Sequence, residues 1–299
     1  MRENERIDMT AREAYKPLPG DLKKVGEWRQ NARKEGAIAT WARILRLSYF
    51  ALAIAIFIGN AYAGSGKNMA AIDTCKQAVI AKPDDPEAHF NLGISYAKSG
   101  MYTEAIEAYK QAIRIKPDYA NAHLGLGLAY AKSGMYQEAI EAFKQAIRIK
   151  PDYADAHYYL GFAYFGSGMY QEAIEAYKQA IRIEPDYVDA HFGLGLAYDL
   201  SGMYQEAIEA YKQAIRIKPD YANAHYYLGL AYAKSGMYTE AIEAYKQAIR
   251  IEPDYVDAHF GLGFAYLILN ERGSALEQYK ILKDLDAEAA NKLFDLIYK

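Results

Sequence analysis

The sequence predicts an all-α solenoid in which one short helix–turn–helix unit is copied along the chain. Three observations carry that reading. Pro83, Pro117, Pro151, Pro185, Pro219 and Pro253 each lie 34 residues after the one before, and each is followed by Asp. Between them, apolar residues recur at three- and four-residue steps, the spacing of one helix face. The composition is also that of a copied unit: 29 Tyr against 2 Trp in 299 residues, with 52% hydrophobic. A regular period of this length marks a stacked repeat, and missing it would mis-assign the whole fold.

Charge and cysteine content narrow the function classes. With 35 basic and 38 acidic residues, the net charge is −3, and no basic stripe marks a nucleic-acid surface. The apolar content excludes a disordered chain. Cys75 is the single cysteine, so no intramolecular disulfide holds the fold.

Taken in chain order, residues 1–46 form a polar N-terminal segment with both tryptophans, Trp28 and Trp41, and a breaker at Pro17, Pro19 and Gly20. Residues 47–66 carry no charge over 20 positions. A helix of that length spans about 30 Å of hydrocarbon. Arg33, Lys34, Arg43 and Arg46 precede it, which would keep the N-terminus cytoplasmic and the repeats on the non-cytoplasmic, periplasmic or lumenal side. Ala61, Tyr62 and Ala63 have the form of a signal-peptidase site. The same tripeptide recurs at 129–131 and 231–233, and 58–66 matches 126–134 at six of nine positions, so repeat ancestry explains it. Ancestry does not explain the unbroken apolar run at 49–57. The segment is therefore read as an uncleaved membrane anchor merging into the first repeat. Export after cleavage and a soluble cytoplasmic array with an apolar cap remain the alternatives.

Placing each proline at position 32 divides 52–289 into seven units: 52–85, 86–119, 120–153, 154–187, 188–221, 222–255 and 256–289, the first and last degenerate. In 120–153, Leu126, Tyr130, Ala139, Phe143 and Ala146 mark two helices either side of Gly134, whose left-handed conformation ends the first. Pro151 stops the second, having no N–H to donate. Asp152 reads as the N-cap of the following helix, with Asp155 completing a loose capping box. Gly127 and Ala139 let the helices approach while Tyr130 and Phe143 fill the space beside them. Residues 287–299 read as a capping helix, with Ala290, Leu293, Phe294 and Ile297 on its covering face.

No chemistry stands out. His89, His123, His157, His191, His225 and His259 are all the histidines, one per unit, on helices about 8–10 Å apart. Zinc needs ligand atoms converging at about 2.0–2.1 Å, so the row predicts packing and no metal. Gly125 and Gly127 imitate the start of a dinucleotide fingerprint but lie inside a helix. Cys75 reads as a small core residue, and Glu107 with Lys110 as an outward helix pair. No catalytic set and no cofactor site is predicted, and the chain is not read as an enzyme.

Leu92 and Gly93, then Tyr96, Ala105, the aromatic Tyr109, Ala112 and Pro117, have equivalents in register through the next four units, with Phe143 as the aromatic of the first. In that pattern the chain resembles the tetratricopeptide repeat family, except that histidine replaces the usual tryptophan at position 4. The resemblance implies a right-handed superhelical solenoid whose first helices hold a partner protein on their concave side. Carried over, the groove residues are Phe90, Leu124, Tyr158, Phe192, Tyr226 and Phe260 at position 5. Ile94, Leu128, Phe162, Leu196, Leu230 and Phe264 follow at position 9, and Phe165 at position 12. Asp155, Asp189 and Asp257 rim this apolar band. The lysine and asparagine of chaperone-tail-binding members are missing at positions 5 and 9. The expected function is a membrane-tethered interaction scaffold that binds a helix or an extended segment, with no nucleic acid. Self-assembly through open repeat stacking is the alternative, and a tethering subunit of an enzyme a third.

Overall fold

The computed structural model describes residues 65–298. The N-terminal segment and the proposed anchor lie outside these residues, apart from Ser65 and Gly66, which open the first helix. Among the described residues, no helix is long and apolar enough to cross a membrane.

Among the described residues fourteen helices follow one another: α1 (Ser65–Ala81), α2 (Pro86–Lys98), α3 (Tyr102–Ile115), α4 (Ala120–Lys132), α5 (Tyr136–Ile149), α6 (Ala154–Gly166) and α7 (Tyr170–Ile183). They continue with α8 (Val188–Leu200), α9 (Tyr204–Ile217), α10 (Ala222–Lys234), α11 (Tyr238–Ile251), α12 (Val256–Ile268), α13 (Arg272–Leu285) and α14 (Ala287–Tyr298). The described residues contain no strand. Each first helix packs on its own second helix, and each second helix on the first helix of the next unit. A repeat thus touches only its neighbours, and its apolar faces are buried by stacking.

The turn chemistry explains the boundaries. Gly134 has φ 75°, and the N–H of Met135 reaches back to the Tyr130 carbonyl at 2.9 Å, closing α4 with a Schellman bond. In the last unit Asn270 takes this left-handed role at φ 61°, as the non-glycine residue that tolerates it best. The expected cap at Asp152 is corrected: the N-cap of α6 is Tyr153, and no side chain caps it. The Tyr153 hydroxyl instead donates to Asn121 Oδ1 at 3.0 Å, tying the linker to the preceding first helix. Aspartate capping occurs at the two ends, where Asp85 accepts from the Glu87 N–H and Asp286 from those of Glu288 and Ala289.

The core is a row of rings set on glycines. Tyr109, Phe143, Tyr177, Tyr211 and Tyr245 are buried in successive second helices. At Gly195 a Cβ would lie 2.5 Å from the Tyr211 ring, so only glycine allows this approach. Neighbouring units meet in two alternating ways. Tyr159 stacks on Phe143, and Tyr227 on Tyr211, at centroid distances of 6.1 Å. In the intervening interfaces Gly193 and Gly261 take the equivalent position, where a Cβ would stand 2.7 and 2.8 Å from Tyr177 and Tyr245. At the C-terminus Ala290, Leu293 and Ile297 of α14 are buried. Phe294, expected on the same face, is 40% exposed and packs sideways on Tyr279 at 5.3 Å.

Deleting residues 154–187 in register should leave a shorter, folded helical protein, because Phe143 then meets Gly193 as Tyr177 does in the full chain. Deleting half a unit would join two like helices and should abolish cooperative unfolding. Circular dichroism during urea titration distinguishes the two; equal stability of both deletions would refute this register.

Candidate functional site

The first helices define two faces. In α6, Ala156, Leu160 and Ala163 are buried, the last two in one cluster with Phe143 of α5 and Ala176 of α7. Asp155, Tyr158, Phe162 and Phe165, three or four residues apart, line the other side. The same division repeats from α2 to α12, so equivalent side chains form rows across the stacked helices.

The row at position 5 is largely packing. Phe192 lies 5.8, 5.1 and 5.5 Å from the rings of Tyr211, Tyr221 and Tyr227. Tyr226 lies 5.0, 5.9 and 5.1 Å from Tyr227, Tyr245 and Tyr255. Phe192 and Tyr226 are 5% and 7% exposed, and Phe165, against Tyr170, is 8% exposed. These three expected groove residues therefore offer a partner almost no surface in this arrangement. Phe90, Leu124, Tyr158 and Phe260 are half-buried, the first in contact with Tyr109 and Tyr119. The row at position 9 is different: Ile94, Leu128, Phe162, Leu196, Leu230 and Phe264 are all half-buried and run unbroken from α2 to α12.

Electrostatics set the edges. Burial, first of all, pushes the Tyr158, Tyr226 and Tyr227 hydroxyls well above the usual phenol range, so they stay neutral. On the rim, Tyr187 donates to Asp155 at 2.8 Å and Tyr255 to Asn223 at 2.7 Å. Burial raises the carboxyls of Asp189 and Asp257 above their ordinary value, partly offset by the positive charges of Lys218 and Lys292 respectively. Asp286 adds to the rise at Asp257. At the opposite end of the first helix in 120–153, desolvation lowers the Lys132 ammonium to about 8.

Two features escaped the sequence reading. Lys234 donates to Asp199 in an ion pair between α8 and α10, with side-chain exposures of 3% and 1%, and its ammonium lies 5.6 Å from the Tyr204 ring centroid. The signal was present, since Asp199 is the one acid in a row of alanines, Phe165 and Leu267. The histidine row also has a definite role. His157 Nε2 lies 3.0 Å from the Pro151 carbonyl, and the other five repeat the contact at 2.8–2.9 Å. A carbonyl can only accept, so Nε2 carries the proton and pins the proline turn to the helix that follows. Among the described residues, no group of three or more His, Cys, Asp or Glu could hold a metal ion. Cys75 Sγ lies 3.3 Å from Ser95 Oγ, in a half-buried position. What the assembled face can do is bury apolar surface of another chain.

The model of the TPR repeat family matches six times, over residues 59–100, 93–134, 131–168, 163–202, 200–236 and 233–270. The chain belongs to the tetratricopeptide repeat family. Among solved structures it is similar to MamA, at 36% identity and a TM-score of 0.52, covering 54% of this chain and 95% of that one. It is similar to YrrB, described as a TPR protein with an unusual peptide-binding site, at 25% identity and a TM-score of 0.55. That match covers 63% of this chain and 97% of YrrB. PilF of Pseudomonas aeruginosa shares the fold at 18% identity and a TM-score of 0.60, over 70% of this chain and 96% of its own. A comparison with curated proteins finds no match.

Proposed function

We propose that the protein is an interaction scaffold that holds a helix or extended segment of another protein against the first helices, tethered to a membrane through residues 47–66. The observation that carries the binding reading is the position-9 row, an apolar stripe of partly exposed side chains across six consecutive first helices. A stripe of that continuity marks an interaction surface more often than a bare soluble face. The peptide-binding site of YrrB, a relative in fold and sequence, supports the same reading.

The buried rings move the test to Phe162 and Leu196. Phe162→Ala with Leu196→Ala should weaken capture of the partner recovered from membranes by about tenfold or more, at about 1.4 kcal/mol per decade. Glu175→Ala and Lys178→Ala remove an exposed second-helix pair at 3.2 Å and should change little. Silent groove variants beside disruptive second-helix variants would place the partner on the other face. The tether rests on the uncharged run and its basic flank. It predicts retention of the full chain in membranes after alkaline carbonate washing, with the repeats open to protease from the non-cytoplasmic face alone; full-length protein in the soluble fraction would refute it.

A further inference from the structure

We infer that residues 52–64 have a second seat besides the membrane: the uncovered face of α1, where they would complete the first unit. The inference rests on the tether reading above and adds that insertion and docking exclude one another. A span takes about 20 residues, and docking 52–64 withdraws most of the uncharged run at 47–66.

The open face is read from its equivalents. A second helix is packed between its own first helix and the first helix of the next unit. α1 has the latter neighbour: Ile72, Cys75 and Val79 cluster with Leu92 and Tyr96 of α2. In the units from 86–119 to 222–255 the alanines at positions 20 and 27, such as Ala139 and Ala146, are 0% exposed. Their counterparts in α1, Ala71 and Ala78, are exposed. Since the next unit's helix is in place, the missing cover is that of the unit's own first helix. Residues 52–64 stand at that place in the unit, and 58–66 match 126–134 at six of nine positions. Gly59 falls at position 8, where Gly127 lets its helix approach Phe143 at position 24; in α1 position 24 is Cys75.

Ser65 and Gly66 link the two seats. Ser133 and Gly134 form the turn that folds α5 back on α4, with Gly134 at φ 75°. The same dipeptide at Ser65 and Gly66 lies inside α1, in the unturned form. That form leaves 52–64 to the bilayer. Turning at Gly66 would lay them on Ala71 and Ala78, taking apolar surface out of water when no bilayer is present.

Cys75 is the single cysteine, so Gly59→Cys allows one intramolecular disulfide. The full-length variant would be synthesised without and with phospholipid liposomes, then mildly oxidised. In the docked form the two thiols are neighbours, as positions 8 and 24 are in the other units. Along one continuous helix they would be about 24 Å apart. The disulfide should form in most chains without liposomes and fall about tenfold or more in chains that float with them. In the wild-type chain, maleimide should label Cys75 faster on liposomes than off them, a readout that needs no disulfide geometry. Gly66→Ala penalises the left-handed turn and favours the helix, so it should shift chains about tenfold toward the liposomes. No disulfide and no protection of Cys75 without liposomes would overturn the seat on α1 and leave the tether standing. Disulfide-linked chains that still float would overturn the exclusion. Chains that never float, whatever their disulfide, would remove the tether reading and the inference with it.

Discussion

Lys234→Met should destabilise the array by about 3–5 kcal/mol, the usual consequence of removing one partner from a buried ion pair. Asp199 would remain with its side chain 1% exposed and its cation gone, inside a packed interface between consecutive units. Adding Asp199→Leu should restore most of the loss, since well-packed apolar residues often match or exceed a buried pair. Leucine is the residue the array itself places at this position in Leu267. Urea unfolding of the two single variants and the double variant closes the cycle. Additive losses, with the double variant the least stable of the three, would show that the pair is not coupled.

Tyr211→Ala should cost a similar amount, about 3–5 kcal/mol, because it empties a site with 0% exposure at the centre of the array. The surrounding elements have little freedom to collapse. Gly195 already stands so close that a Cβ there would meet the ring at 2.5 Å, and Tyr227 stacks on the other side at 6.1 Å. Tyr211→Phe keeps the volume and repeats what Phe143 does two units earlier, so its cost should stay below about 1.5 kcal/mol. In a solenoid the damage spreads to adjacent units through lost stacking, which should broaden the transition as well as lower its midpoint. A sharp transition with an unchanged midpoint for Tyr211→Ala would refute the core described above.

Much of the fold was legible from local rules. Gly134 turns the chain and Pro151 stops a helix, each through backbone properties that need no neighbour. The apolar steps through Leu126, Tyr130, Ala139 and Phe143 identify a helix pair because period and helix geometry are linked. Asp152 misled because an aspartate after proline satisfies the local capping pattern, while the actual link uses Tyr153 and its long-range bond to Asn121. Phe294 misled because its helical phase suits the covering face, yet Tyr279 holds it at the edge.

The groove divides in the same way. That positions 5 and 9 share a side of the first helix follows from spacing alone, and the sequence by itself determined both rows and their apolar character. Which row stays open was decided by tertiary structure. Phe192 sinks because rings of its own unit and Tyr227 of the next converge on it, and Tyr226 because Tyr227, Tyr245 and Tyr255 of its own unit do, whereas Leu196 and Leu230 remain half-buried. The partnership of Asp199 with Lys234, 35 residues away, was decided there too. Helical periodicity tells which direction a side chain points, but its burial depends on how far the neighbouring helices' side chains reach, and only their stacking sets that distance.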